Sequence, residues 1–407
     1  MENNDSAQYT IWTNRISALG YSVEEWNAAV REQFSPFVRR KSILTRNRDI
    51  LRTELVNLAR VVLHTEYVVL LKRLVRLYRR VFYQDPVSTA DLLRDSLAEV
   101  TRASENWIGL FREHVSRSPA KVPHDRVHLL FEQLDAMLEG TVKPYLRLAH
   151  AFAAHDQSGT FPADLDRKDF GQLLDYLRPT LGKPGDLILT VPVLGTTINQ
   201  LRNIAAHRSF KMIDRETIEV WWGRKQIKTR RLRTANLELV LAWAIRVLAV
   251  LSLASVIVYL EYMPEIDARG TPDVTLRVES WLVGLTHNLG IVGFEVVDWE
   301  ERETAFRLSL RNRLDRSLTA ALIHASQDLD QLAMAVDADP TRRDSVELIA
   351  VDLLDRNNQL IASAEISILD ALAYTRGELS DKDRLDKTRF HFVDWEAAQR
   401  DLESLEP

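Results

Sequence analysis

The chain has 407 residues, 46% of them hydrophobic and 27% charged, which is enough apolar material for two or three domains with real cores. Its formal charge is -5, from 53 basic and 58 acidic residues, so any nucleic-acid contact must come from a local basic patch. There is no cysteine, which excludes disulfides, thiolate nucleophiles and cysteine-ligated zinc.

The first residues, "MENNDSAQYTIWTNR", carry early acids and no apolar core segment, so a signal peptide is not expected and a cytoplasmic location is. Residues 1–40 are a mixed lead-in. From Ile43 to Tyr83 neither glycine nor proline occurs, and Leu51, Leu55, Leu58, Val62, Tyr67, Leu70, Leu74 and Tyr78 recur at helical spacing. This predicts one very long helix or two nearly collinear ones, stopped at Asp85-Pro86. A helix capped by Ser88 should run to Ser116, and another from Arg126 to His155 with a kink at Pro144. "DQSGTFPAD" (156–164) is a loop whose acid spacing does not suit calcium. A short helix is expected over 167–178.

Thr190 is expected to cap a helix over 190–207, with Pro192 in its first turn. On that helix Leu194, Ile198, Leu201 and Ala205 fall within about 60° of arc, an apolar stripe. Asn203 and His207 are i,i+4 neighbours facing away from it, with Arg202 beside them. An ordinary solvated helix end is one reading. The other is a site: imidazole can take and return a proton, guanidinium can grip a phosphate, and Asn can orient either.

A β-hairpin, "SFKMIDRETIEVWW", should follow. "GRKQIKTRRLR" (223–233) then supplies Arg224, Lys225, Lys228, Arg230, Arg231 and Arg233 directly after Trp221 and Trp222. It reads either as a solvated connector or as an RNA-tracking segment with a tryptophan available for base stacking. Residues 239–260 are apolar enough to raise the question of a membrane span. Arg246 interrupts them, and a buried core helix is expected.

Beyond 270 the composition changes to an α+β domain: a helix over 274–288, a hairpin through "VGFEVVDWEERETAFRLSLRN", a helix over 313–336, a second hairpin and a terminal helix at 395–405. "VDWEER" (297–302) and "VDLLDR" (351–356) echo each other 54 residues apart, a hint of a duplicated unit. Asp298, Glu300 and Asp352 are expected at strand ends and turns as solvated charges. The domain is read as a sensing, partner-binding or restraining element without catalysis.

No phosphate loop, dinucleotide fingerprint or G-x-S-x-G elbow occurs. His124 and His128 stand at i,i+4 as possible metal ligands, but no third ligand is evident, so neither metal nor cofactor is expected.

"LRNIAAH" resembles the RNxxxH form of the R-x4-6-H signature of HEPN domains (higher eukaryotes and prokaryotes nucleotide-binding), with Arg202, Asn203 and His207 in its three places. The motif helix, the β-excursion and the long apolar helix also resemble a bacterial subset of that family. The resemblance covers residues 126–262. It implies a mainly α fold, a HEPN-like bundle with a short hairpin, in a homodimer with the two motif helices apposed. It further implies a metal-independent endoribonuclease acting on RNA, a toxin or anti-phage defence effector, or else an inactive relative that binds a nucleotide or partner. An acidic partner on an earlier helix is not identifiable from sequence. A subset modified by AMP transfer has Tyr two residues after the His; Ser209 stands there. The domains are therefore expected at 1–120 (helical extension), 121–264 (bundle) and 270–407 (α+β).

Overall fold

A computed structural model describes residues 23–116, 122–223, 226–270, 293–314 and 316–394, with 282, 285, 286 and 289. The expected helix over 274–288 lies mostly outside the described residues. The C-terminal helix, Arg224 and Lys225 lie wholly outside them. The chain divides into two compact units, residues 30–274 and residues 275–407, and the described residues 23–29 group with the second.

The first unit is helical around one core. Its main helices are the end of α1 (Val23–Phe34) from Val30 on, α2 (Arg48–Val62), α3 (Thr65–Gln84), α4 (Pro86–Ser116), α5 (Pro123–Met137), α6 (Lys143–Ser158), α7 (Leu174–Leu181), α8 (Ile198–Ala206) and α9 (Ala235–Asp267). The Ile43–Tyr83 stretch is three helices: a single turn, Ile43–Arg46, ends at the non-helical Asn47, and an extended His64 separates α2 from α3. The start of α4 differs from the expected cap: Asp85 Oδ1 accepts from the Ser88 N–H at 3.0 Å, and Pro86 opens the helix. Helix α9 runs through the centre. It is long and apolar enough to cross a membrane, and 83% of its most apolar window is buried inside the fold. Phe131, Phe152, Leu146, Leu201 and Val240 belong to the same core as Leu70 and Tyr78. The segments expected as extension and bundle thus share a single hydrophobic interior.

Between α5 and α6 the chain does not kink sharply. It widens into a π-turn, Leu138–Val142. Pro144 explains this: it has no N–H to give the Gly140 carbonyl, and its ring would collide with that carbonyl in a regular helix. Asn106 Nδ2 donates to the Gly140 oxygen instead, at 3.1 Å.

The motif segment is only partly helical. Thr190–Val191 pairs antiparallel with Thr196–Thr197, and Val193 and Gly195 both have φ of 64° in the turn between. The helix begins at Ile198 and ends at Ala206, so Leu194 and Thr196 precede it. Leu194, Ile198, Leu201 and Ala205 are all buried as expected. Next come β1 (Phe210–Met212), β2 (Thr217–Trp222) and β3 (Lys228–Arg233) in one antiparallel sheet. The basic segment, read either as a connector or as an RNA-tracking segment, is therefore largely an edge strand.

The second unit holds a five-stranded sheet of β4 (Phe294–Arg302), β5 (Ala305–Asn312), β6 (Leu348–Leu354), β7 (Leu360–Ser367) and β8 (Arg389–Phe392), ordered β8-β7-β6-β5-β4. Only β5 and β6 pair in parallel, across a connection holding α10 (Leu318–Ser326) and α11 (Leu329–Asp337). A single helix was expected there. Two more helices, α12 (Ile368–Thr375) and α13 (Asp381–Lys387), precede β8. The two echoing hexapeptides begin on the first strand of each hairpin.

Asp352 corrects the expectation of a solvated charge. It lies mid-strand in β6, 7% exposed, and accepts two bonds from Arg307, from Nε at 2.8 Å and Nη2 at 2.6 Å. The Arg307 guanidinium is held above its ordinary pKa chiefly by that hydrogen-bonded carboxylate. Asp298 and Glu300 lie within β4, not in turns.

Candidate functional site

Helix α8 carries Arg202 and Asn203 half-buried in its last turns, and His207 exposed as its C-cap. The end of the helix is a Schellman closure. Ser209 N–H bonds to the Ile204 carbonyl at 3.0 Å and Arg208 N–H to the Ala205 carbonyl at 3.3 Å. That closure needs a left-handed residue after the cap, and Arg208 takes it with φ of 49° where glycine is usual. Arg208 Nη1 holds the arrangement by donating to the Ala205 carbonyl at 2.6 Å. Backbone strain of this kind is worth about 1–3 kcal/mol, and here it adjoins His207.

Sequence reasoning missed the residue that meets Arg202. Glu139, in the π-turn, forms an ion pair from Oε1 to the Arg202 Nε. Its other oxygen accepts from Lys143 Nζ at 2.7 Å, one turn on. Arg202 Nη1 contacts Asn203 Oδ1 at 3.4 Å. Arg202 and Glu139 keep 31% and 28% of their side-chain surface, although the Nε and Oε1 atoms that meet are themselves buried. The E-x-x-x-K spacing and the glycine before a proline-bearing helix were visible signals. What they could not reveal was that the π-turn points Glu139 at α8.

Among the described residues the His207 ring has no hydrogen-bond partner, and it is exposed. The cluster therefore presents two cations and one carboxylate, with an amide and an imidazole near one helix end. That set can bind an anion and exchange a proton with it.

Each face of this sheet carries one tryptophan and part of the basic set. Trp222 pairs with Lys228, Val220 with Arg230 and Ile218 with Leu232; Trp222 packs on the core. Trp221 lies half-buried on the other face, the one bearing Glu219, Arg231 and Arg233. Arg230 Nη1 is tied to the Leu194 carbonyl at 2.8 Å. It crosses directly over Gly195, where a Cβ would come within 3.3 Å of it. Glu219 pairs with both Lys211 (2.7 Å) and Arg231 (3.2 Å), and these partners hold its carboxyl below the usual range, Lys211 foremost. Lys228 and Arg233 are exposed. The patch is thus less basic than its sequence suggests.

The second unit has an open pocket of 650 Å³ lined by Asp330, Met334, Tyr374, Gly377, Ser380 and Asp381 among others. Tyr374 donates to Asp381 at 2.5 Å. Nearby Asp328 is pushed up to about 7 by burial first and by Asp330 second. No group of three or more metal-ligating side chains occurs among the described residues.

Compared with family models, with curated proteins and with solved structures, the chain shows no match.

Proposed function

We propose that this protein is a metal-independent endoribonuclease of HEPN type, acting as a defence effector or toxin in the cytoplasm. The observation that carries this reading is the ion pair of Glu139, itself bonded by Lys143, with Arg202 on the helix that His207 caps. Arg202 holds the scissile phosphate of an RNA strand. Asn203 positions the phosphate or the imidazole. His207 accepts the 2′-OH proton, the 2′ oxygen attacks the adjacent phosphorus, and the bond to the 5′ oxygen breaks with a proton returned to it. The products are a 2′,3′-cyclic phosphate and a 5′ hydroxyl. Glu139 positions the guanidinium. Trp221, Lys228, Arg231 and Arg233 would carry the flanking RNA, with Arg224 and Lys225 beside them in sequence.

An open polar face is half a pocket, and a two-fold axis between identical chains would supply the other half. The reading therefore includes a homodimer with the two α8 helices apposed. One observation favours a second reading. The ion pair of Arg202 with Glu139 already offsets part of the guanidinium charge, as in an inactive scaffold that binds a nucleotide or a partner chain.

The test uses purified protein, mixed cellular RNA and excess EDTA. Cleavage that persists in EDTA and leaves cyclic phosphate ends is expected. It should fall about 10²–10⁴-fold in folded His207→Ala and disappear in Arg202→Ala. Cleavage surviving both substitutions refutes the nuclease reading. Binding of RNA or a nucleotide without cleavage, lost in Arg202→Ala, supports the scaffold.

A further inference from the structure

We propose that His124 and His128 form a binding site for a divalent cation that prefers imidazole, of the zinc, nickel or copper class. Helix α5 opens on Pro123, which sets the helical turn early and stacks the two histidines one turn apart. Their Nε2 atoms approach to 3.2 Å. Without a metal, one ring donates its Nε2 proton to the lone pair of the other. The same position accepts a cation. With metal–nitrogen bonds of about 2.0–2.1 Å, that separation gives an N–M–N angle of about 103°, close to tetrahedral.

Two neighbours favour this. Asp125 Oδ1 lies 3.7 Å from His124 Nδ1. At that distance the carboxylate makes no hydrogen bond to the ring, but its negative charge lies close enough to favour a bound cation. The His128 ring meets Phe210 edge-on at 4.9 Å between centroids, and Phe210 stacks on Phe131 at 4.6 Å. Packing thus fixes the second ring. His124 keeps 58% of its side-chain surface, so water completes the coordination shell. Two imidazoles and water suit the later first-row metals, whereas magnesium and calcium call for oxygen ligands.

The site lies at the opposite end of α5 from the π-turn, and the cleavage chemistry proposed above does not use it. It does touch the same local structure: Phe210 begins the strand that leaves His207.

The experiment uses untagged full-length protein, stripped with EDTA and dialysed, and titrated calorimetrically with zinc chloride at pH 7.5. Wild type is expected to bind one zinc per chain that the His124→Ala/His128→Ala double variant does not bind, with magnesium giving no signal. Asp125→Asn, which removes only a nearby exposed charge, should bind more weakly while keeping the stoichiometry. Because His128 packs on Phe210, the exposed single substitution His124→Ala is the safeguard: it should keep the far-UV spectrum of wild type and lose the zinc. Zinc binding of equal stoichiometry and affinity in wild type and in folded His124→Ala overturns the proposal, as does the absence of binding to wild type at millimolar zinc.

Discussion

Replacing Glu261 with alanine should destabilise the first unit more than almost any other single substitution. Glu261 is 2% exposed in the interior of α9, and a buried carboxylate must be fully compensated to remain charged. Arg79 compensates it bidentately, with Nε to Oε2 at 2.6 Å and Nη2 to Oε1 at 2.5 Å. The Arg39 N–H adds a third bond at 2.6 Å, and Arg79 also donates to the Phe37 carbonyl. Glu261→Ala strands a guanidinium that is itself only 13% exposed. Breaking a buried pair on one side costs about 3–5 kcal/mol. For a unit of this size, each kcal/mol moves the midpoint by about 2–4 °C, so the loss in Tm is roughly 6–20 °C. The assay is urea and thermal unfolding of the full chain followed by far-UV circular dichroism. The transition of the first unit should shift and that of the second should not. The double variant Arg79→Met/Glu261→Leu should lose less than either single truncation, since apolar replacement of both partners leaves no orphan charge. A loss below about 1 kcal/mol in Glu261→Ala would refute the reasoning, because that is the worth of a solvated pair.

Two further predictions concern the second unit and the helix end. Asp328 has a folded-state pKa of about 7 against 3.8 in the reference state, raised by burial and then by Asp330, with Arg384 opposing. Between those values the folded chain keeps a proton that the unfolded chain has released, so stability falls as pH rises through the window. Asp328→Asn should match wild type near pH 4 and exceed it at pH 8; parallel pH profiles from urea unfolding would reject the assignment. At the left-handed Arg208, glycine should be tolerated within about 1 kcal/mol, while the β-branched Arg208→Val should lose about 1–3 kcal/mol. Equal losses in both would mean that the guanidinium contacts matter and the backbone conformation does not.

Much of the local structure was legible because it is encoded within a turn or two of chain. The apolar spacing of Leu70, Leu74, Tyr78 and Val240 marks helix faces that the fold buries. The alternation in "TIEVWW" marks a strand, and the Arg202–Asn203–His207 cluster falls at a helix end as its flanking residues suggest. These patterns depend on the i,i+4 and i,i+2 geometry of a single element, so neighbouring residues suffice to state them.

What only tertiary structure decided were the partnerships between elements. Nothing local to "NQLRNIAAH" indicates that Arg202 meets Glu139, because that pairing requires the π-turn forced by Pro144 and the packing of α5 beside α8. The six basic residues of 223–233 read as a solvated run; a neighbouring strand turns four of them into a sheet edge and sets Glu219 against one. Asp352 looked like a turn charge until Arg307 from the adjacent strand reached it. In each case a charge was visible in the sequence. Its environment was set by residues far along the chain, and it is the environment that decides whether a charge is solvated, paired or placed to act.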